Sequence, residues 1–115
     1  MNSQVRFTET PDGWIDTQTG LEWSKTLGEA SWNDAQLLIP PGWRLPTIAE
    51  LFSVVDNTRS DPSTELPETQ SDGYWSSTTY QLNPTYAWYV YFFDGYVFAS
   101  NETNLGYVRG VRGGS

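Results

Sequence analysis

Aromatic side chains occupy both alternating positions of one strand-forming segment, and this doubling restricts the fold more than any other feature of the chain. Eleven of the eighteen aromatic residues fall within residues 74–98. Along Trp88-Tyr89-Val90-Tyr91-Phe92-Phe93, one alternate set is Trp88, Val90 and Phe92, and the other is Tyr89, Tyr91 and Phe93. Successive side chains of a strand point to opposite faces, and a solvated antiparallel sheet needs only one apolar face. The second face must therefore be covered by another layer or bind something. Beyond Asp94-Gly95, a strong two-residue hairpin signal, the alternation resumes. It predicts Trp88, Val90, Phe92, Val97 and Ala99 as core. Tyr89, Tyr91, Phe93, Tyr96 and Phe98 then lie on the opposite face.

The rest of the chain reads as short strands and two short helices. Val5-Arg6-Phe7 is a strand candidate, Pro11-Asp12-Gly13 a turn, and Leu21-Glu22-Trp23 the next strand, followed by loop over residues 25–29. Ser31 is placed to cap a helix over residues 32–38, which Pro40-Pro41-Gly42 stops. Thr47-Ile48-Ala49-Glu50 fits a capping box and opens a helix carrying Leu51, Phe52, Val54 and Val55. Residues 56–73 are polar and read as a surface loop anchored by Leu66. Residues 74–78, 87–93, 96–100 and 107–112 then form an antiparallel meander. The pattern predicts a single α+β domain over residues 1–115.

Composition excludes several chemistries. With no cysteine and no histidine, disulfides, zinc–thiolate sites, thiol nucleophiles and imidazole bases are all impossible. The net charge of −8 argues against nucleic acid or an anionic membrane surface as partner. That charge lies entirely in residues 1–72, whereas residues 73–115 set Asp94 and Glu102 against Arg109 and Arg112. Recognition by the aromatic segment would therefore work by stacking and neutral hydrogen bonds. No apolar run reaches the length of a membrane-spanning helix. Met1-Asn2-Ser3-Gln4-Val5-Arg6 carries no secretory core, so the chain is expected to stay inside the cell or to be a fragment of a longer product.

Chemical motifs are sparse. Trp32-Asn33-Asp34 matches a tripeptide that supplies calcium ligands in sugar-binding lectins, but here it reads as a helix first turn with a buried tryptophan. Asp56, Asn57, Asp61 and Glu65 lack the glycine of an EF-hand loop and read as a solvated acidic loop. Arg44, Arg109 and Arg112 are expected to anchor acidic neighbours. There is no phosphate loop and no nucleophile elbow. The chain is read as a non-enzyme, with no cofactor and no metal.

Several elements together resemble the Legionella collagen-like protein C-terminal domain family. They are Gly20-Leu21-Glu22-Trp23, Ser31-Trp32-Asn33-Asp34-Ala35, Gly42-Trp43-Arg44-Leu45-Pro46-Thr47-Ile48-Ala49-Glu50-Leu51, Tyr74-Trp75-Ser76-Ser77-Thr78, Ala87-Trp88-Tyr89-Val90, Asp94-Gly95 and Tyr107-Val108-Arg109-Gly110-Val111-Arg112. The resemblance spans essentially the whole chain in order. It implies a C-type-lectin-like fold, with two short helices packed on antiparallel sheet, at the end of a bacterial surface or phage-associated protein. Members of this broad class are adhesins, some binding sulfated glycosaminoglycans, and related folds serve as variable ligand-binding domains of diversity-generating retroelements. Family members often carry a cysteine where Gly110 stands here, paired to the first helix near Leu37 or Leu38, so here packing must hold that helix to the last strand. The charge of −8 also disfavours a sulfated ligand.

These readings lead to a recognition or adhesion module, extracellular, on the cell surface or on a virion, that binds a glycan or protein through its terminal sheet. The expected ligand-binding residues are Tyr80, Tyr86, Tyr89, Tyr91, Phe93, Tyr96, Phe98 and Asn101. The alternatives are a structural or homo-oligomerising module, in which symmetric association hides the same aromatics, and a retroelement variable domain.

Overall fold

The computed structural model describes residues 5–113; the N-terminal reading at residues 1–4 lies outside them. The elements are β1 (Phe7–Glu9), β2 (Gly13–Asp16), β3 (Leu21–Ala30), α1 (Trp32–Leu38), α2 (Ile48–Phe52), β4 (Gly73–Thr79), β5 (Tyr86–Tyr91), β6 (Tyr96–Asn101) and β7 (Gly106–Gly113). The strands form one seven-stranded sheet in the order β1-β2-β3-β7-β4-β5-β6. This is an α+β fold, but the sheet is mixed rather than antiparallel, because β4 and β7 run parallel, with Tyr74 opposite Tyr107. After β6 the chain crosses back past β5 and β4 and inserts β7 in the middle of the sheet. A parallel neighbour requires such a crossover, and nothing in the local sequence announces it.

Local signals fix several boundaries. At α2 the capping box is complete: Thr47 Oγ1 accepts from the Glu50 N–H at 3.2 Å, and Glu50 Oε1 accepts from the Thr47 N–H at 2.9 Å. The helix ends at Phe52; Val54 lies in the turn that follows and Val55 just beyond it. Ser31 holds the N-cap position of α1 but makes no side-chain cap bond. The first strand is displaced from the expected position, starting at Phe7.

The largest local correction is at residues 25–29, expected as loop, where β3 continues to Ala30 by pairing with β7. Its register shifts between Trp23 and Thr26 and again between Thr26 and Gly28, where Gly28 takes φ 142. Bulges of this kind break the two-residue period by which a strand is recognised.

Both faces of the sheet are packed. One core joins Trp14, Trp23, Leu51, Val54, Leu66, Tyr74, Val90, Phe92 and Val111, among others. The second joins Ala35, Leu45, Trp75, Ala87 and Val108, with Trp32, Ile39 and Tyr89 against it. Tyr74 and Trp75 are successive residues of β4, so the two cores lie on opposite faces. Accordingly α2 and the loop after it cover one face, and α1 covers the other.

Leu66 anchors that loop, as expected, but not alone. The Ser63 N–H donates to Phe92 O at 2.6 Å, and the Arg109 side chain binds Pro67 O and Thr69 Oγ1. On the other face α1 is held by buried Ala35 and by Trp32, whose backbone N–H donates to Glu102 O and whose ring N–H donates to Ser76 O, both at 2.9 Å. The space beside Gly110 is filled by Trp43, 3.3 Å from where a Cβ would stand, while Leu37 is 82% exposed.

Candidate functional site

The geometry of the terminal strands follows from a turn longer than the one expected. Phe92, Phe93, Asp94 and Gly95 together form the β5–β6 connection, closed by the Gly95 N–H donating to Tyr91 O at 2.7 Å. Gly95 has φ 86, a conformation that glycine adopts without steric cost. Phe92 turns into the core and Phe93 turns out, 45% exposed. The strands then pair without a register shift, setting Tyr91 opposite Tyr96 and Tyr89 opposite Phe98. Directly opposed residues share a face.

That register builds a continuous strip of rings. Trp75 and Tyr89 lie 5.4 Å apart between centroids, Tyr89 and Phe98 5.8 Å, Tyr91 and Phe98 6.2 Å, Tyr91 and Phe93 6.2 Å, and Tyr96 and Phe98 6.3 Å. All are within the range of favourable aromatic pairs. The inner end is fixed: Trp75 is buried, and its ring N–H donates to Ala30 O at 3.0 Å. Tyr89 lies directly over Gly73, where an added Cβ would fall 2.0 Å from Tyr89 Cε2. The outer end is open, with Tyr96 63% and Phe98 40% exposed. α1 covers this face only over its inner part, around Trp75 and Ala87.

Five of the eight expected binding residues, Tyr89, Tyr91, Phe93, Tyr96 and Phe98, are therefore together. The other three are elsewhere. Tyr86 and Asn101 pair across the β5–β6 ladder in the Trp88 and Val90 alternation, which is the opposite face of the sheet. Tyr80 packs edge-on against Trp88 at 5.3 Å, beside a cleft of about 630 Å³ between residues 77–82 and Trp88. The Asn101 carboxamide is also committed to structure, since its Oδ1 accepts from the Thr103 N–H at 2.9 Å and the Thr103 hydroxyl at 2.7 Å. On this face the expected core is only partly realised: Val90 and Phe92 are buried, but Trp88 and Ala99 are half-buried and Val97 is 36% exposed. β6 is the last strand of the sheet, so the layer that covers Val90 does not extend over Val97.

Sequence reasoning missed a groove of about 650 Å³ lined by Ile39, Pro40, Trp43, Arg44, Leu45 and Ser77, among others. Its signal was the run of prolines and tryptophan in Pro40-Pro41-Gly42-Trp43-Arg44-Leu45-Pro46. Arg112 stacks on the Trp43 ring at 4.0 Å and so fixes one wall.

The charged side chains near these surfaces are mostly tied to one another. Arg44 and Glu50 form a two-pronged pair at 2.6 and 2.8 Å, and Arg112 binds Glu22 at 2.9 Å and Asp12 at 3.1 Å. Hydrogen bonds from Arg44 and Arg112 hold the Glu50 and Glu22 carboxyls below the usual carboxylate range. Arg109 departs from the expectation of an acidic partner. Buried against Trp14 and Tyr74, it donates to Ser24 O, Pro67 O and Thr69 Oγ1. Among the described residues, no group of three or more Asp or Glu is placed to hold a metal ion.

The family model for the Lcl C-terminal domain matches residues 13–112. Comparison with curated proteins returned no match.

Proposed function

The chain belongs to the Lcl C-terminal domain family, whose membership suggests a bacterial surface-protein domain, and from that premise we propose that it is a non-enzymatic recognition module of C-type-lectin-like fold. Its ligand is an extended glycan or a protein surface, bound across the outer end of the aromatic strip. The observation that carries this reading is the open row of Phe93, Tyr96 and Phe98, continuous with rings anchored in the core. Rigid aromatic side chains offer large contact area at low entropic cost, and tyrosine adds a polar tip.

Two further properties shape the ligand. None of the strip's outer rings lines the clefts described above, and small-molecule sites are usually concave. A broad partner therefore fits better than a single small sugar. The absence of net charge from residues 73–115 favours a neutral ligand over a sulfated one. No enzymatic role is assigned, because the close charged pairs are already occupied in structural bonds. No helix among the described residues is long and apolar enough to cross a membrane, and the proposed setting is extracellular, on a bacterial surface or a virion.

Arrays of neutral glycans, sulfated glycans and surface proteins, probed with the wild type and with the Tyr96→Ser/Phe98→Ser double variant, test this reading. Truncating central interface aromatics typically costs about 2 kcal/mol or more, at least tenfold in affinity. Tyr80→Ser, on the other face, should bind like the wild type. Binding that survives the double variant, or that is confined to sulfated ligands, would contradict the proposal.

A further inference from the structure

The α1–α2 connection builds a groove that shares no residue with the aromatic strip. Its volume of about 650 Å³ lies within the range of roughly 300–1,000 Å³ typical of small-molecule sites. Ile39, Pro40, Trp43 and Leu45 give it an apolar lining. Its shape is fixed before any ligand arrives. The Trp43 N–H donates to Pro40 O at 3.1 Å, Arg44 and Val111 exchange two backbone hydrogen bonds at 3.0 and 2.8 Å, and the Ser77 N–H donates to Pro46 O at 2.7 Å. Proline has no freedom about φ, and the Arg112 guanidinium holds the Trp43 ring from 4.0 Å. A preorganised site loses little of its contact energy to ordering.

Charge and hydrogen bonding select the ligand. Among the described residues lining the groove only Arg44 is charged, and Glu50 neutralises it through bonds of 2.6 and 2.8 Å. An anion would have to displace Glu50, whose carboxylate also closes the α2 capping box through the Thr47 N–H. A cation would find no carboxylate in the lining, and the Trp43 ring already carries Arg112. By contrast, the exposed Gln36 carboxamide and Ser77 hydroxyl make no hydrogen bond among the described residues, and each can both donate and accept. A flat ring packs on proline and tryptophan with large contact area and few bonds to freeze. We infer that this groove is a second binding site, for an uncharged small molecule built on a flat ring with hydroxyl or amide substituents. The site goes beyond the recognition reading and does not depend on it.

Benzamide, benzoate and benzylammonium carry the same ring and differ in charge. Titrating each into the isotope-labelled protein at neutral pH, with backbone amide, carboxamide and indole N–H resonances as the readout, tests the inference. Benzamide should shift the Trp43 indole, the Gln36 carboxamide and the Ser77 amide together and saturably, with a Kd on the order of millimolar, as a ligand of its size allows. Benzoate and benzylammonium should bind at least tenfold more weakly. Ser77→Phe, at an exposed position, should fill the groove and abolish the benzamide shift at Trp43. If that variant fails to fold, Gln36→Ala, exposed on α1, decides: it should weaken binding about threefold. Tyr96→Ser/Phe98→Ser should bind benzamide like the wild type. No saturable shift at Trp43, equal binding of the three probes, or shifts confined to β6 would overturn the inference. So would undiminished binding in a folded Ser77→Phe protein. Groove binding by a protein for which the arrays find no ligand leaves this inference standing and removes the recognition reading; the reverse result removes only this inference.

Discussion

Arg109 is a buried cation whose hydrogen-bond partners are neutral: two carbonyls and a hydroxyl tie β7 to β3 and to the loop before β4. Burial pushes its guanidinium down to about 10, partly countered by Tyr74 and Glu68, so it stays protonated at neutral pH. Arg109→Leu would leave the Ser24 and Pro67 carbonyls without this donor in a packed interior. A loss of about 3 kcal/mol or more in urea unfolding is expected, with faster proteolysis in residues 56–72. An unfolding free energy within 1 kcal/mol of wild type would mean that the loop is held by Leu66 and Ser63 instead. The sequence showed an arginine in a terminal strand and suggested an acid as its partner. The acceptors proved to be backbone and hydroxyl oxygens from segments about 40 and 85 positions away, and sequence pattern does not encode such pairings.

Among the elements, α2 was the most legible, because its capping box is a local device written in four consecutive residues. Thr47→Ala should cost about 1 kcal/mol in thermal or urea unfolding. The β5–β6 hairpin was legible in part. Alternation correctly separated Tyr89, Tyr91, Tyr96 and Phe98 from Val90. It failed at the turn, where Asp94-Gly95 suggested two residues and the chain uses four. Tyr86 and Asn101 were candidates from beside the predicted strands, but they belong to β5 and β6 and lie on the other face by register. β3 was legible only to its first bulge. Gly73 links β4 to the strip, since the Tyr89 ring occupies the place of a Cβ there. Gly73→Ala should displace that ring and destabilise the fold by about 1–3 kcal/mol, as overpacking does, with a changed near-ultraviolet circular dichroism spectrum. An unchanged spectrum and melt would show that Tyr89 does not rest on Gly73.

At the scale of the whole molecule, the missing histidines and the paired carboxylates set the pH response. Burial alone would raise the Asp16 pKa, but hydrogen bonds from Arg6 and from the Gln18 N–H outweigh it and hold the pKa below its ordinary 3.8. Glu22 and Glu50 are likewise held below 4.5, chiefly by hydrogen bonds from Arg112 and Arg44. A carboxyl with a depressed folded pKa contributes stability that is complete above its unfolded pKa and is lost as pH falls through the folded value. With no histidine to titrate, melting temperature should be nearly flat between about pH 5 and pH 8 and fall below about pH 4. Asp16→Asn should lower the neutral melting temperature and flatten the acid decline. A transition between pH 6 and 8 would contradict this assignment.

The same scale explains the doubled aromatic faces. Both sides of the sheet carry a core, and the covering layers stop short of β6 on either side, leaving Val97 exposed on one face and Tyr96 and Phe98 on the other. The central claim is that Phe93, Tyr96 and Phe98 form an open surface beside a filled core. Hydroxyl-radical footprinting of the dilute free protein tests it most directly. These three rings should be modified readily, while Trp23, Tyr74, Trp75 and Phe92 are protected. If Tyr96 and Phe98 are as protected as Phe92, the strip is packed interior and is not a binding surface.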